Sequence, residues 1–157
     1  MTDAPEEMVR RSALARTAPV SFGLFALGRA LHGYGAELLS DIGLHAGQEL
    51  ILMQLFDRDG QTQAELQQAV GLEHSTVSRS IRRMEEAGLL VREPSSSDRR
   101  AMIVSLSEQG EAMRQPIAGV WSTLERLAVE VIQATGQESF MTTAAELERA
   151  YTAARRC

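Results

Sequence analysis

The sequence predicts a mainly α-helical chain with one small β-hairpin, and three observations carry that prediction. Thr62-Gln63-Ala64-Glu65 has the form of a capping box, and the short helix it opens ends at Gly71, a residue suited to a left-handed C-terminal cap. A second short helix follows across this glycine turn, so the pair has the sequence form of a helix-turn-helix. Directly after it the hydrophobic period changes from helical to strand-like, and longer helices with narrow apolar stripes flank this centre on both sides.

The elements follow in order. Residues 1–18 are polar and are expected to fray. A helix is predicted over residues 20–40, where Leu24, Leu27, Leu31, Tyr34 and Leu38 recur at alternating intervals of three and four. Gly23, Gly28, Gly33 and Gly35 weaken it by roughly 1 kcal/mol each relative to alanine, so it needs support from another helix. A break over 41–46 leads to a helix over 47–57, with Leu50, Met53, Leu55 and Phe56 as its apolar contributors and Arg58-Asp59-Gly60 as the turn after it. The capped helix ends at Gly71, and Ser75 reads as the N-cap of the next, which reaches Gly88. Residues 89–93 and 101–106 read as strands joined by a polar loop that Pro94 opens. From Ser107 the chain is helical again, with Met113, Ile117, Val120, Leu124, Leu127 and Val131 on one stripe and Pro116 expected to kink or split it. A last helix carries Phe140, Ala144, Leu147 and Tyr151 at helical spacing.

The layout is that of a winged helix-turn-helix over residues 41–106, with an N-terminal arm and helix at 1–40 and C-terminal helices at 107–157. Stripes of this kind at both ends predict a helical homodimer interface, with Leu24, Leu27, Leu31, Leu124, Leu127, Val131, Leu147 and Tyr151 as its candidate residues.

Composition excludes several function classes. All 16 basic residues among the 157 are arginine, so no lysine is present to grip a nucleotide phosphate, form a Schiff base or activate a serine. The single cysteine, Cys157, excludes an intramolecular disulfide, a Cys-x-x-Cys pair and a multi-cysteine zinc site. His32, His45 and His74 are too scattered to suggest a metal, and no cofactor is implied. The apolar run after Arg10, Arg11 and Arg16 superficially resembles a signal peptide, but Glu6, Glu7, Arg29 and His32 interrupt that pattern. No apolar segment approaches the ~20 residues that span a bilayer. The expectation is a cytoplasmic protein without a membrane partner.

Charge is unevenly placed. From His74 to Arg100 six arginines stand against four acids, while the rest of the chain holds ten against seventeen, within a net charge of −5. On the second helix of the motif, Val77, Ile81 and Met84 share one face, which leaves Ser75, Thr76, Ser78, Arg79, Arg82 and Arg83 away from the core. Short hydroxyls and arginines on an exposed helix suit the major groove of double-stranded DNA, where arginine bonds guanine through two donors. Asp98-Arg99-Arg100 falls at the tip of the hairpin, where arginines can enter a narrow minor groove and Asp98 can orient one of them.

Residues 43–110 resemble the MarR family of winged-helix transcriptional regulators. The resemblance rests on Gly47-Gln48, Thr62-x-x-Glu65-Leu66, Ser75-Thr76-Val77-Ser78-Arg79 and Met84-Glu85-x-x-Gly88-Leu89-Leu90-x-Arg92. Most specific are Asp98-x-Arg100 and Leu106-Ser107-Glu108-x-Gly110. It implies a homodimer that binds a pseudo-palindromic operator, usually as a repressor, and leaves DNA when a small phenolic or lipophilic ligand binds. It also implies that Arg100 is the minor-groove arginine, that Asp98 holds it, and that an effector pocket lies between the dimer helices and the winged lobe. Phe25, His32, Met53 and Trp121 are the candidate lining residues there. The sequence departs from the family pattern with Ser107 where threonine is usual, and it lacks the N-terminal cysteine of the peroxide-sensing branch. Two other readings compete: a winged-helix protein-interaction module that does not read DNA, and an enzyme on a helical bundle. The arginine face disfavours the first. The second lacks a nucleophile–base pair, and its only Gly-x-Gly, Gly33-Tyr34-Gly35, follows no strand.

Overall fold

The structure is a computed structural model, and it describes residues 13–95, 101–133 and 136–155, with side-chain environments from residue 15 onward. The described helices are α1 (Ala13–Thr17), α2 (Pro19–Asp41), α3 (Gln48–Asp57), α4 (Gln63–Val70), α5 (His74–Glu86), α6 (Glu108–Ala112), α7 (Arg114–Ile132) and α8 (Gln137–Ala154). Three strands, β1 (Gln61–Thr62), β2 (Leu90–Pro94) and β3 (Met102–Leu106), form an antiparallel sheet in the order β1-β3-β2. None of the described helices is long and apolar enough to cross a membrane. The chain divides into two compact units, residues 1–120 and 121–157, with the boundary inside α7.

The core of the first unit is aliphatic. Ile51, Leu52 and Leu55 of α3, Leu66 of α4, Val77, Ile81 and Met84 of α5, and Val104 of β3 are all essentially solvent-free. At roughly 1.5–3 kcal/mol per buried side chain, this cluster is the main favourable contribution to the fold of the lobe. The core face of α3 is a correction to the sequence reading. Leu50, Met53 and Phe56 are only half-buried, and Ile51 and Leu52 take the interior with Leu55. A helix apolar on nearly every side offers no periodicity from which its inner face could be chosen. Phe56 instead carries the Arg114 guanidinium, 4.4 Å above its ring, and Arg114 also bonds Glu111 at 2.7 Å.

Local chemistry sets the helix ends. The capping box is present: the Glu65 backbone N–H donates to the Thr62 hydroxyl at 3.2 Å, and the Glu65 carboxylate accepts from the Thr62 N–H at 2.8 Å. Gly71 closes α4 in the left-handed region at φ +67. Ser107 caps α6 by accepting from the Gly110 N–H at 3.0 Å.

Four expectations change. Ser75 is not the N-cap of α5; Glu73 holds that place, and its carbonyl accepts the N–H groups of Thr76 and Val77 at 2.9 and 3.0 Å. Residues 13–17 form α1, ahead of a Pro19 that opens α2, where the expectation was a frayed arm. Near Pro116 the helix is split, but the break falls at Met113 and the proline lies in the first turn of α7. There a missing N–H has no intrahelical partner to lose. Finally, β1 is a strand that the sequence did not announce. It is two residues long, pairing Gln61 with Val104 and Thr62 with Ile103, too short to alternate.

Gln61 is nonetheless almost wholly buried, and its amide is fully used. Its Oε1 accepts from Gln54 Nε2 at 3.2 Å and Arg58 Nη2 at 3.1 Å, while its Nε2 donates to the Gln54 and Arg58 carbonyls. This network ties the end of α3 to the sheet.

In the second unit no described residue of α8 is buried, and Met141 and Tyr151 are more than half exposed. Val131 of α7 is 75 % exposed. In α2 of the first unit, Leu27 and Leu31 are likewise more than half exposed. Leu27, Leu31, Val131 and Tyr151 belong to the stripes on which the expected dimer contact rests.

Candidate nucleic-acid interface

Helix α5 presents two contrasting faces. Val77, Ile81 and Met84 are fully buried, and Ser75, Thr76, Arg79, Arg82 and Arg83 are exposed on the other side, with Ser78 half-buried at the margin. Because Glu73 caps the helix through its backbone, the Ser75 and Thr76 hydroxyls take no part in capping. Arg82 lies 3.8 Å from Glu86, both about two-thirds exposed, a contact that solvent reduces to ~0–1 kcal/mol. Among the described residues Arg79 and Arg83 have no ion-pair partner. The face therefore carries guanidinium groups on a helix, and among the described residues only the exposed Arg82–Glu86 contact pairs one of them.

The turn before α4, the first helix of the pair, is also fixed. Arg58 bonds Glu65 at 2.8 Å, and the Thr62 backbone and side chain with Arg58 hold the Glu65 carboxyl down to about 2. Gln63 Nε2 lies 3.3 Å from His74 Nε2, linking the first turns of α4 and α5. Those residues line a surface depression with Thr62, Ala64, Arg92, Ala101, Met102 and Val104, where the two helix starts meet the sheet.

The hairpin leaves directly behind α5. Gly88, at φ +75, turns the chain, and the Leu89 N–H returns to the Met84 carbonyl at 2.8 Å. β2 and β3 pair from Leu90↔Leu106 to Pro94↔Met102, and the Ser95 N–H closes the hairpin on the Ala101 carbonyl at 2.9 Å. The Asp59 carboxylate accepts the Leu106 N–H at 2.9 Å and pins the other end of β3. Asp98, Arg99 and Arg100 belong to the connection between these strands and lie outside the described residues.

Of the candidate effector residues, Phe25, His32 and Met53 belong to the first unit and Trp121 to the second. Phe25, 61 % exposed, lines a depression along α2 with Phe22, Ala26, Arg29 and Ala30, and Arg29 sits 6.0 Å over its ring. His32 is exposed on the same helix, within electrostatic reach of Glu49. Glu49 is a buried carboxylate, pushed up by burial although it accepts the Gly47 N–H at 2.7 Å. Met53 is half-buried on α3, and Trp121, in the second unit, is 42 % exposed.

One interaction of this surface is not legible from local sequence. Arg92 of β2 bonds Glu85 of α5 through both Nε, at 2.8 Å, and Nη2. The two residues stand seven apart across a change of secondary structure, so neither helical nor strand periodicity pairs them. Only the family-like run containing both pointed to this place.

Comparison with known proteins agrees with the geometry. The family model described as MarR family matches residues 44–102. The organic hydroperoxide resistance transcriptional regulator of Bacillus subtilis (strain 168) is 26 % identical over 103 residues, covering 66 % of this chain and 70 % of the relative. A transcriptional repressor, CouR, bound to a 23-mer DNA duplex, shares the fold with a TM-score of 0.76 at 20 % identity, over 85 % of this chain and 95 % of that one. The PcaV transcriptional regulator of Streptomyces coelicolor, in complex with its natural ligand, does so with a TM-score of 0.76 at 18 % identity, over 86 % and 93 % of the two chains. The matched segment runs from Leu44 through the helix-turn-helix into β3, and over that segment the chain is similar to the MarR family.

Proposed function

We propose that the protein is a dimeric, sequence-specific DNA-binding transcriptional regulator, acting as a repressor on a pseudo-palindromic operator and released by a small aromatic or lipophilic ligand. The observation that carries the proposal is the exposed face of α5, where Arg79, Arg82 and Arg83 and the Ser75 and Thr76 hydroxyls lie opposite a fully buried apolar face. Such a helix, second in a helix-turn-helix and followed by a hairpin, suits a major groove. CouR, with the same fold, was solved on a DNA duplex, and PcaV with a ligand, which supports both halves of the reading. Residues 41–106 form the DNA-reading part of this proposal, with Asp98, Arg99 and Arg100 as the wing contacts.

Dimerisation follows from the apolar surfaces of the flanking helices, which a second copy would cover. The effector would meet residues such as Phe25, His32, Met53 and Trp121. The protein would work in the cytoplasm, by binding and not by catalysis.

Fluorescence-anisotropy titration of the upstream DNA at fixed salt tests the surface assignment. Arg79→Ala and Arg100→Ala are each expected to weaken binding by about 1–3 kcal/mol, and Arg149→Ala on α8 to leave it unchanged. A variant that loses only a phosphate contact lowers the salt slope by roughly one unit. Equal binding by all three variants would contradict the assignment.

A further inference from the structure

The wing can reach DNA together with α5 only if its angle to that helix is fixed, and the described residues show what fixes it. The covalent connection is short, from Glu86 to Leu90, and it turns at Gly88 in a left-handed conformation. Beyond Leu90 the rest of β2 is exposed, so its own side chains do not hold its outer part by apolar packing, whereas β3 is held by the buried Val104 and by pairing with β1. β2 is also an edge strand, paired only with β3. Arg92 lies in this outer part, opposite the fully buried Val104, and therefore springs from the sheet face that looks toward the core. Its guanidinium crosses to Glu85, in the last turn of α5, and donates from Nε and Nη2 to the same carboxylate oxygen.

Exposure separates this pair from the other ion pair of α5. Arg92 and Glu85 are each about one-third exposed, against two-thirds for Arg82 and Glu86. Partial burial makes the Coulombic term larger and less sensitive to salt. Glu85 accordingly holds the Arg92 guanidinium above its ordinary range.

We propose that Glu85 is a positioning residue for operator binding: through Arg92 it braces β2 against α5, and so sets the angle at which the wing meets the duplex. The brace touches no DNA. It contributes to affinity only where helix and wing engage together, which is on a specific site. The proposal rests on the DNA-binding reading above.

The test uses the full-length protein and two probes: the duplex that the wild type selects most strongly from a random library, and poly(dI-dC). Glu85→Gln is expected to weaken binding to the selected duplex about tenfold. Affinity for poly(dI-dC) and the salt slope on the selected duplex are expected to stay as in the wild type, because no phosphate contact is lost. The exchanged pair, Glu85→Arg with Arg92→Glu, restores the brace and is expected to recover binding to within about threefold. Glu111→Gln, which breaks the exposed Glu111–Arg114 pair, serves as the control without effect. If Glu85→Gln binds the selected duplex as well as or better than the wild type, Arg92 is a DNA ligand that Glu85 restrains, and the proposal fails. It fails equally if both probes are weakened alike. Should Glu85→Gln not fold, the exchanged pair decides: a folded protein with recovered preference supports the brace, and a folded protein without it refutes the brace. A wild type that selects no sequence would overturn the DNA-binding reading itself, a result distinct from all of these.

Discussion

At the scale of single residues, most of the helix-turn-helix is set by a few polar groups that satisfy backbone N–H donors. Thr62 and Glu65 close a reciprocal pair of bonds at the start of α4, and Arg58 adds a charge from the preceding turn. The Glu65 carboxyl is held at about 2, against an ordinary value of 4.5, by the Thr62 N–H, the Thr62 hydroxyl and Arg58. Its contribution to stability is therefore complete above about pH 4.5 and is lost as the pH falls from there through 2. Thr62→Ala removes the hydroxyl that caps α4, and urea titration at neutral pH is expected to show a loss of about 1 kcal/mol. In the same variant the Glu65 midpoint, followed by carboxyl-carbon NMR, is expected to rise toward its ordinary value. A midpoint that stays at the wild-type value would mean that Arg58 and the backbone hold the carboxylate alone. The capping box was legible in the sequence because all its members lie within four residues. The Glu85–Arg92 and Asp59–Leu106 bonds were not, because they join residues that only the fold brings together.

At the scale of elements, the apolar period identified α5 correctly and α3 only as a helix. Val77, Ile81 and Met84 stand alone among polar neighbours, so one inner face is possible. In α3 six of the ten residues are Leu, Ile, Met or Phe in near-continuous sequence, and tertiary packing chooses among them. The junction between β2 and α6 shows a further constraint that periodicity does not report. A Cβ on Gly110 would lie 2.0 Å from the Leu89 carbonyl oxygen and 3.3 Å from a methyl of Leu106. The glycine lets α6 cross close over the start of the wing, and the obstacle is backbone, which cannot rotate away. Gly110→Ala is expected to destabilise the protein by on the order of 3 kcal/mol in urea titration, by forcing α6 off the strand. Wild-type stability in that variant would show that the crossing is loose.

At the scale of the whole molecule, function follows from where the fold puts charge and apolar surface. Six of the sixteen arginines lie between His74 and Arg100, in a chain whose net charge is −5. An acidic protein with a locally basic helix face can bind duplex DNA at a chosen place without coating it. The exposed Leu27, Leu31, Val131 and Tyr151 give the flanking helices an apolar surface that a second copy can cover. A two-fold dimer of such units presents two copies of α5, and the DNA it reads must repeat with the same symmetry. The most direct measurement is selection of duplexes from a random library by the full-length protein, followed by sequencing of the enriched pool. The expected result is an inverted repeat with half-site centres about one helical turn, ~34 Å, apart, whose enrichment disappears with Arg79→Ala. A folded protein that enriches no sequence, or only a single unrepeated one, would contradict the claim that this chain reads an operator as a dimer through α5.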